Sequence, residues 1–133
     1  MAFSGKKFKK TDYTNVKEII EALNVDDKIK GMLRETSATT CFTKNADGTW
    51  NYKVETDKVL LDETFPLDAD YDYVRPDGVI NKTKFWLEGN TLKQVLHGTT
   101  GKNLYFDRTF DGDKMVMTVT VDGIPTKGVV NYA

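Results

Sequence analysis

Turn-forming residues punctuate this chain at short, even intervals, and no other feature limits its fold so strongly. Asn45-Ala-Asp-Gly48, Pro76-Asp-Gly78, Glu88-Gly-Asn90, Gly98-Thr-Thr-Gly101, Asp111-Gly112 and Asp122-Gly123 supply the positive φ angles of tight hairpin turns. The segments between them alternate with a period of two. In 49–55, Trp50, Tyr52 and Val54 share one face, with Asn51, Lys53 and Glu55 on the other. In 114–121, Met115, Met117, Val119 and Val121 share one face against Lys114, Thr118 and Thr120, with Val116 the exception. The same pattern recurs at lower contrast in 39–44, 59–65, 79–87, 91–97 and 124–132, giving about ten half-buried strands. A meander that long curls or closes on itself, because open sheet edges invite pairing with other chains.

One early stretch breaks the period. Val16, Ile19, Ile20 and Leu23 lie at i, i+3, i+4 and i+7, the apolar stripe of an amphipathic helix. Asn15 and Glu18 are spaced like a capping box, and Asn24 is placed to end the helix. A second short helix is expected after Asp26 or Asp27, with Ile29, Met32 and Leu33 on its apolar side and Lys28, Lys30 and Arg34 outward. Gly31 weakens it by about 1 kcal/mol relative to alanine. The expected order is one strand, a helical hairpin and about nine further strands, in a single domain over residues 1–133.

Composition narrows the function. Nineteen Lys and Arg against twenty Asp and Glu leave a formal net charge of −1, unlike the basic balance of a nucleic-acid binder. The start, MAFSGKKFKK, lacks a signal-peptide apolar run, and no later apolar stretch is long enough to span a bilayer; a cytoplasmic protein is expected. With one cysteine, Cys41, and one histidine, His97, neither a disulfide nor a Cys/His metal site is expected, nor any cofactor. The modest apolar content of 39% points to an interior that is partly polar or wet.

The segment 102–110 carries the most chemistry. Its even positions are Leu104, Phe106, Arg108 and Phe110, so alternation turns Arg108 inward with three apolar residues. A charge withdrawn from water needs a partner: a carboxylate, ordered water or a ligand. Alternatively, a twist or bulge lets Arg108 reach solvent. Glu63, in step with Val59, Leu61 and Phe65, is the internal acid able to pair with it. His97 falls on the outer face with Lys93 and Val95, Cys41 shares outer parity with Thr39 and Thr43, and Lys6, Lys7, Lys9 and Lys10 read as a solvated strand edge around Phe8. No nucleophile elbow, phosphate loop or paired-acid motif accompanies these residues, so catalysis is not expected.

The order and spacing of several stretches resemble the intracellular lipid-binding proteins, which include fatty acid-binding and cellular retinoid-binding proteins. The likeness runs through Ala2-Phe-Ser-Gly5, Val16-Lys-Glu-Ile-Ile-Glu-Ala-Leu-Asn-Val25, Phe65-Pro-Leu-Asp-Ala-Asp-Tyr71, Thr91-Leu-Lys-Gln-Val95 and Arg108-Thr-Phe-Asp-Gly-Asp113. It implies an all-β, ten-stranded antiparallel up-and-down barrel with a helix-turn-helix lid, and a cytosolic, monomeric, non-enzymatic carrier of long-chain fatty acid or a similar lipophilic carboxylate. By the resemblance, Arg108 is the first of two internal arginines that hold a ligand carboxylate. The second belongs to a C-terminal Arg-x-Tyr, set here against Gly128-Val129-Val130, where both arginine and tyrosine are missing. A floor of small residues there keeps open a bile-acid-like or other bulky amphiphile, or a retinoid, as the cargo. The resemblance further implies a ligand lining of Val16, Ile20, Ile29, Thr40, Val54, Lys58, Pro76, Asp77, Leu96, Phe106, Met117 and Val119. Its portal is formed by 26–34, 56–59 and 74–78. Lys28, Lys30 and Arg34 would make transient contact with membranes.

Overall fold

Ten strands form, all in segments that the sequence reading names except the one over 70–74. The computed structural model describes residues 3–22, 37–74, 78–98, 102–125 and 127–133. In chain order the elements are β1 (Lys7–Thr14), α1 (Val16–Ala22), β2 (Thr39–Lys44), β3 (Trp50–Glu55), β4 (Val59–Phe65), β5 (Asp70–Val74), β6 (Ile80–Glu88), β7 (Thr91–His97), β8 (Asn103–Asp111), β9 (Lys114–Val121) and β10 (Gly128–Tyr132). Every pairing is antiparallel, in the order β4-β3-β2-β1-β10-β9-β8-β7-β6-β5. Pairing of β1 with β10 joins the two ends of the chain, and β4 and β5 are left facing each other across the one unpaired seam. The result is a nearly closed barrel. The second helix expected around 26–34 lies outside the described residues.

Each strand turns one row of side chains inward. β8 buries Leu104, Phe106, Arg108 and Phe110, and β9 buries Met115, Met117, Val119 and Val121 while Val116 stays exposed, as the period of two requires. At the end of the barrel opposite α1, aromatic rings stack: Phe3 on Phe110 and Phe65 on Phe85, each with centroids 3.9 Å apart. α1 packs over β9 and β10 at the other end. Asn15 adopts φ 61°, and its carbonyl accepts from the Ile19 amide at 3.4 Å. Its side chain donates to the Lys127 carbonyl at 3.4 Å, tying the helix start to the entrance of β10. A Cβ at Gly128 would stand 3.1 Å from Ile19 Cγ1 and 3.8 Å from the Asn15 carbonyl oxygen, so a glycine here lets the helix lie close on the sheet.

Two bulges correct the simple alternation. Between Val54 and Glu55 the β3–β4 register shifts, and Val59 points to solvent although it is in step with Leu61 and Phe65. Between Lys10 and Asp12 the β1–β10 register also shifts. Before that bulge Phe8 and Lys10 face inward; after it, 11–14 are exposed. The solvated edge expected for the four N-terminal lysines is therefore wrong for Lys10, which is a barrel-interior residue.

Phe65→Ala should lower the unfolding free energy by about 3–5 kcal/mol, the usual loss for deleting a fully buried ring, and Val116→Thr should change it by no more than about 0.5 kcal/mol. Urea unfolding of the two variants checks both.

Candidate functional site

Arg108 is 1% exposed and lies at the centre of the barrel's inner cavity. Its Nη2 donates to the Tyr52 hydroxyl at 3.3 Å and to Gln94 Oε1 at 3.0 Å. Nε and Nη1 have no hydrogen-bond partner, so two of the five guanidinium N–H donors are used and three are not. The rings of Phe42, Tyr52, Phe85 and Phe106 surround the guanidinium carbon, with centroids 5.0–5.8 Å away. Cation–π attraction offsets part of the desolvation, yet it supplies none of the missing acceptors.

Sixteen residues line this cavity, and ten carry a polar side chain: Lys10, Thr40, Tyr52, Glu63, Tyr71, Tyr73, Thr83, Gln94, Arg108 and Tyr132. Ala38, Val54, Leu61, Leu96, Phe106 and Met117 complete it. The partly polar interior expected from composition is this lining. The Tyr71 hydroxyl is buried without a hydrogen-bond partner. Burial is the main cause that pushes the Tyr71 phenol well above its ordinary range, with the Glu63 charge adding to it and Arg108 opposing. The Tyr132 phenol is raised for the same first reason, opposed by Arg108 and by its hydrogen bond with Thr40. Both phenols therefore stay neutral donors facing the cation.

Of the lining residues implied by the resemblance, Thr40, Val54, Leu96, Phe106 and Met117 meet Arg108 around this cavity. Val16 and Val119 are buried instead in the layer between α1 and the sheet, outside the cavity lining. Lys58 is exposed in the turn between β3 and β4. Ile29, Pro76, Asp77, Lys28, Lys30 and Arg34 lie outside the described residues, as does the side chain of Ile20. His97 and Cys41 face outward as expected: His97 Nδ1 lies 3.3 Å from Asn103 Oδ1, and Cys41 Sγ lies 3.6 Å from Thr43 Oγ1. Among the described residues, no three His, Cys, Asp or Glu side chains gather where they would hold a metal ion.

Many contributors to the lining escaped the sequence reading, among them Tyr52, Tyr71, Tyr73, Thr83, Lys10, Gln94 and Tyr132. Lys10 and Gln94 are in step with inward neighbours, Phe8 on β1 and Leu92 and Leu96 on β7, a signal that was present. Tyr132 was hidden by the frame chosen for the C-terminal motif. Gly128 lies against Ile19 of α1, whereas Val130 and Tyr132 face inward and Tyr132 lines the cavity. The Arg-x-Tyr pattern thus falls on Val130-Asn131-Tyr132: the tyrosine is present and only the arginine is replaced, by valine.

No family model and no curated protein sequence matches this chain; solved structures match it over nearly its whole length. A fatty acid-binding protein from brain tissue of Drosophila melanogaster is 28% identical, with a TM-score of 0.80 over 98% of each chain. The chain has the β-barrel fold of the fatty acid-binding proteins. A Schistosoma mansoni fatty acid-binding protein solved with arachidonic acid is 25% identical, with a TM-score of 0.79 over 98% of this chain and 94% of that one. Fatty acid-binding protein 1 of Echinococcus granulosus shares the fold at a TM-score of 0.81 and 23% identity, over 99% of this chain and 96% of that one. These neighbours are named for binding a ligand and not for a reaction.

The raised phenols fix a pH dependence. Unfolded tyrosine ionises near pH 10, while folded Tyr71 and Tyr132 hold their protons to higher pH. Above about pH 10 the native state therefore binds more protons than the unfolded chain, and stability falls as pH rises. Urea unfolding between pH 8 and 11 should show this decline, and the Tyr71→Phe, Tyr132→Phe double variant should show a shallower one.

Proposed function

We propose that this chain is a non-enzymatic carrier that encloses a long-chain fatty acid, or a similar lipophilic carboxylate, with its carboxylate at Arg108. The observation that carries this reading is that the unpartnered guanidinium nitrogens Nε and Nη1 and the unpartnered hydroxyl of Tyr71 belong to side chains lining one cavity. Unsatisfied buried donors in a low-dielectric interior are expensive. A carboxylate is an acceptor for arginine N–H groups and for a phenol, and the apolar side chains of Val54, Leu61, Leu96, Phe106 and Met117 offer its acyl chain a dry wall. The fatty acids named for the neighbouring structures agree with that chemistry.

The bile-acid-like reading rested on a floor opened by small residues; the Tyr132 ring in the cavity lining weighs in favour of the slimmer fatty acid. The finer parts of the proposal are a single 133-residue barrel acting as a monomer in the cytoplasm and delivering its ligand on transient contact with membranes. Among the described residues, no helix is long and apolar enough to cross a membrane.

Native mass spectrometry of the protein purified without delipidation should reveal a bound fatty acid; a sterol-like or retinoid mass would replace the reading. Arg108→Leu should weaken oleate binding by about 1.5–3 kcal/mol, the contribution of a charge-assisted hydrogen bond, while the fold is kept or stabilised. An oleate titration unchanged in the variant removes Arg108 from the site. For delivery, transfer of a fluorescent fatty acid should quicken with vesicle concentration and anionic lipid content and slow with salt. Charge reversal at Lys28 and Lys30 should abolish that dependence.

A further inference from the structure

Lys10 is 5% exposed and lines the same cavity as Arg108. A lysine ordinarily keeps its ammonium in water by extending its stem along the surface; here the whole side chain is enclosed. Its place is fixed from both sides. The Lys10 amide donates to the Ala38 carbonyl at 3.0 Å, and Lys10 faces Tyr132 directly in the β1–β10 ladder. The bulge that follows ends the inward row at this residue, a device that aims a side chain locally.

Among the described residues lining the cavity, Lys10 and Arg108 are the basic side chains and Glu63 is the carboxylate. A ligand carboxylate in this region of low dielectric is drawn to both bases. The charges are also connected through the phenols. Tyr132, the ladder partner of Lys10, feels the charge of Arg108, and Tyr52 accepts a hydrogen bond from Arg108 while sitting opposite Glu63 in the β3–β4 ladder.

We infer that Lys10 is the second cation of the headgroup site, so that a ligand carboxylate held by the unpartnered N–H groups of Arg108 has Lys10 as its further counter-charge. The cavity then prefers a singly charged amphiphile to a neutral one with the same chain. This rests on the carrier reading above and extends it by naming a specificity-determining residue on β1.

The test compares oleate with oleyl alcohol on the wild-type protein, Lys10→Met and Lys10→Arg. Oleate affinity should fall about tenfold or more in Lys10→Met, as expected for the loss of a charge-assisted contact. It should be largely restored in Lys10→Arg, and oleyl alcohol affinity should change less than threefold. Oleate labelled with carbon-13 at its carboxyl gives a readout that a packing role would not move. A nearby cation favours the ionised form, so the bound carboxyl should titrate at higher pH in Lys10→Met than in the wild-type protein. If Lys10→Met does not fold, Lys10→Gln carries both measurements. Equal oleate affinity in wild type and variant, or an equal loss for oleate and the alcohol, overturns the role of Lys10 and leaves the carrier reading standing. Failure of the wild-type protein to bind oleate at all overturns both.

Discussion

A guanidinium sealed inside the barrel with three of its five N–H donors unpaired sets the terms for the residues around it. A buried charge is tolerated when neighbouring groups replace water, and the inner wall is arranged to do so only in part. Gln94 and Tyr52 each take one proton of Nη2, and four aromatic rings place their negative faces around the charge. The rings come from the paired β2 and β3 and from β6 and β8, two parts of the chain brought together by closure of the sheet. What stays unsatisfied are the N–H groups of Nε and Nη1, and they are the chemically distinctive part of an otherwise largely apolar and phenolic chamber.

The strand pattern was legible because burial on one face of a sheet imposes a period of two, and β3, β8 and β9 follow it residue by residue. Arg108 was legible for the same reason: parity forced it inward before any contact was known. Lys10 obeyed the identical rule through Phe8, but four lysines in five positions read as a charged edge, and composition outweighed phase. Val59 failed in the opposite sense, since a bulge at the adjacent Leu60 of its own strand reversed its face, and bulges leave little trace in a sequence that lacks a glycine at that point. Tyr132 was lost through a two-residue shift in frame, a shift that preserves parity and is invisible to any argument from alternation. The packing of α1 against Gly128 breaks that tie, because a position pressed against the Ile19 side chain has no path to the cavity.

The interior is consequently organised by hydroxyls more than by ions. Thr40, Tyr52, Tyr71, Tyr73, Thr83 and Tyr132 all border the cavity; the Tyr71 and Tyr132 phenols, held neutral by burial, can donate or accept without adding charge of their own. Such groups adapt to either an anion or water, whereas a second carboxylate beside Glu63 would have tied up the arginine permanently.

The seam between β4 and β5 has a mechanical consequence. Elsewhere around the barrel, widening the wall means breaking ladder hydrogen bonds, but here it separates only side chains. The seam is pinned at the end away from α1, where Leu67 bridges Phe85 and the Asp68 amide donates to the Phe85 carbonyl at 2.8 Å. Toward α1 it has no such stitch among the described residues. The barrel is therefore a stiff cylinder with one compliant line, hinged at its aromatic end, and the side chains along that line include Leu61, Glu63, Tyr71 and Tyr73 from the cavity wall itself. An unpaired edge of this kind is also where foreign strands dock. Asp62 and Glu63 on one lip and Asp70 and Asp72 on the other give both lips the same sign of charge, so the line that lets the wall yield repels another acidic edge.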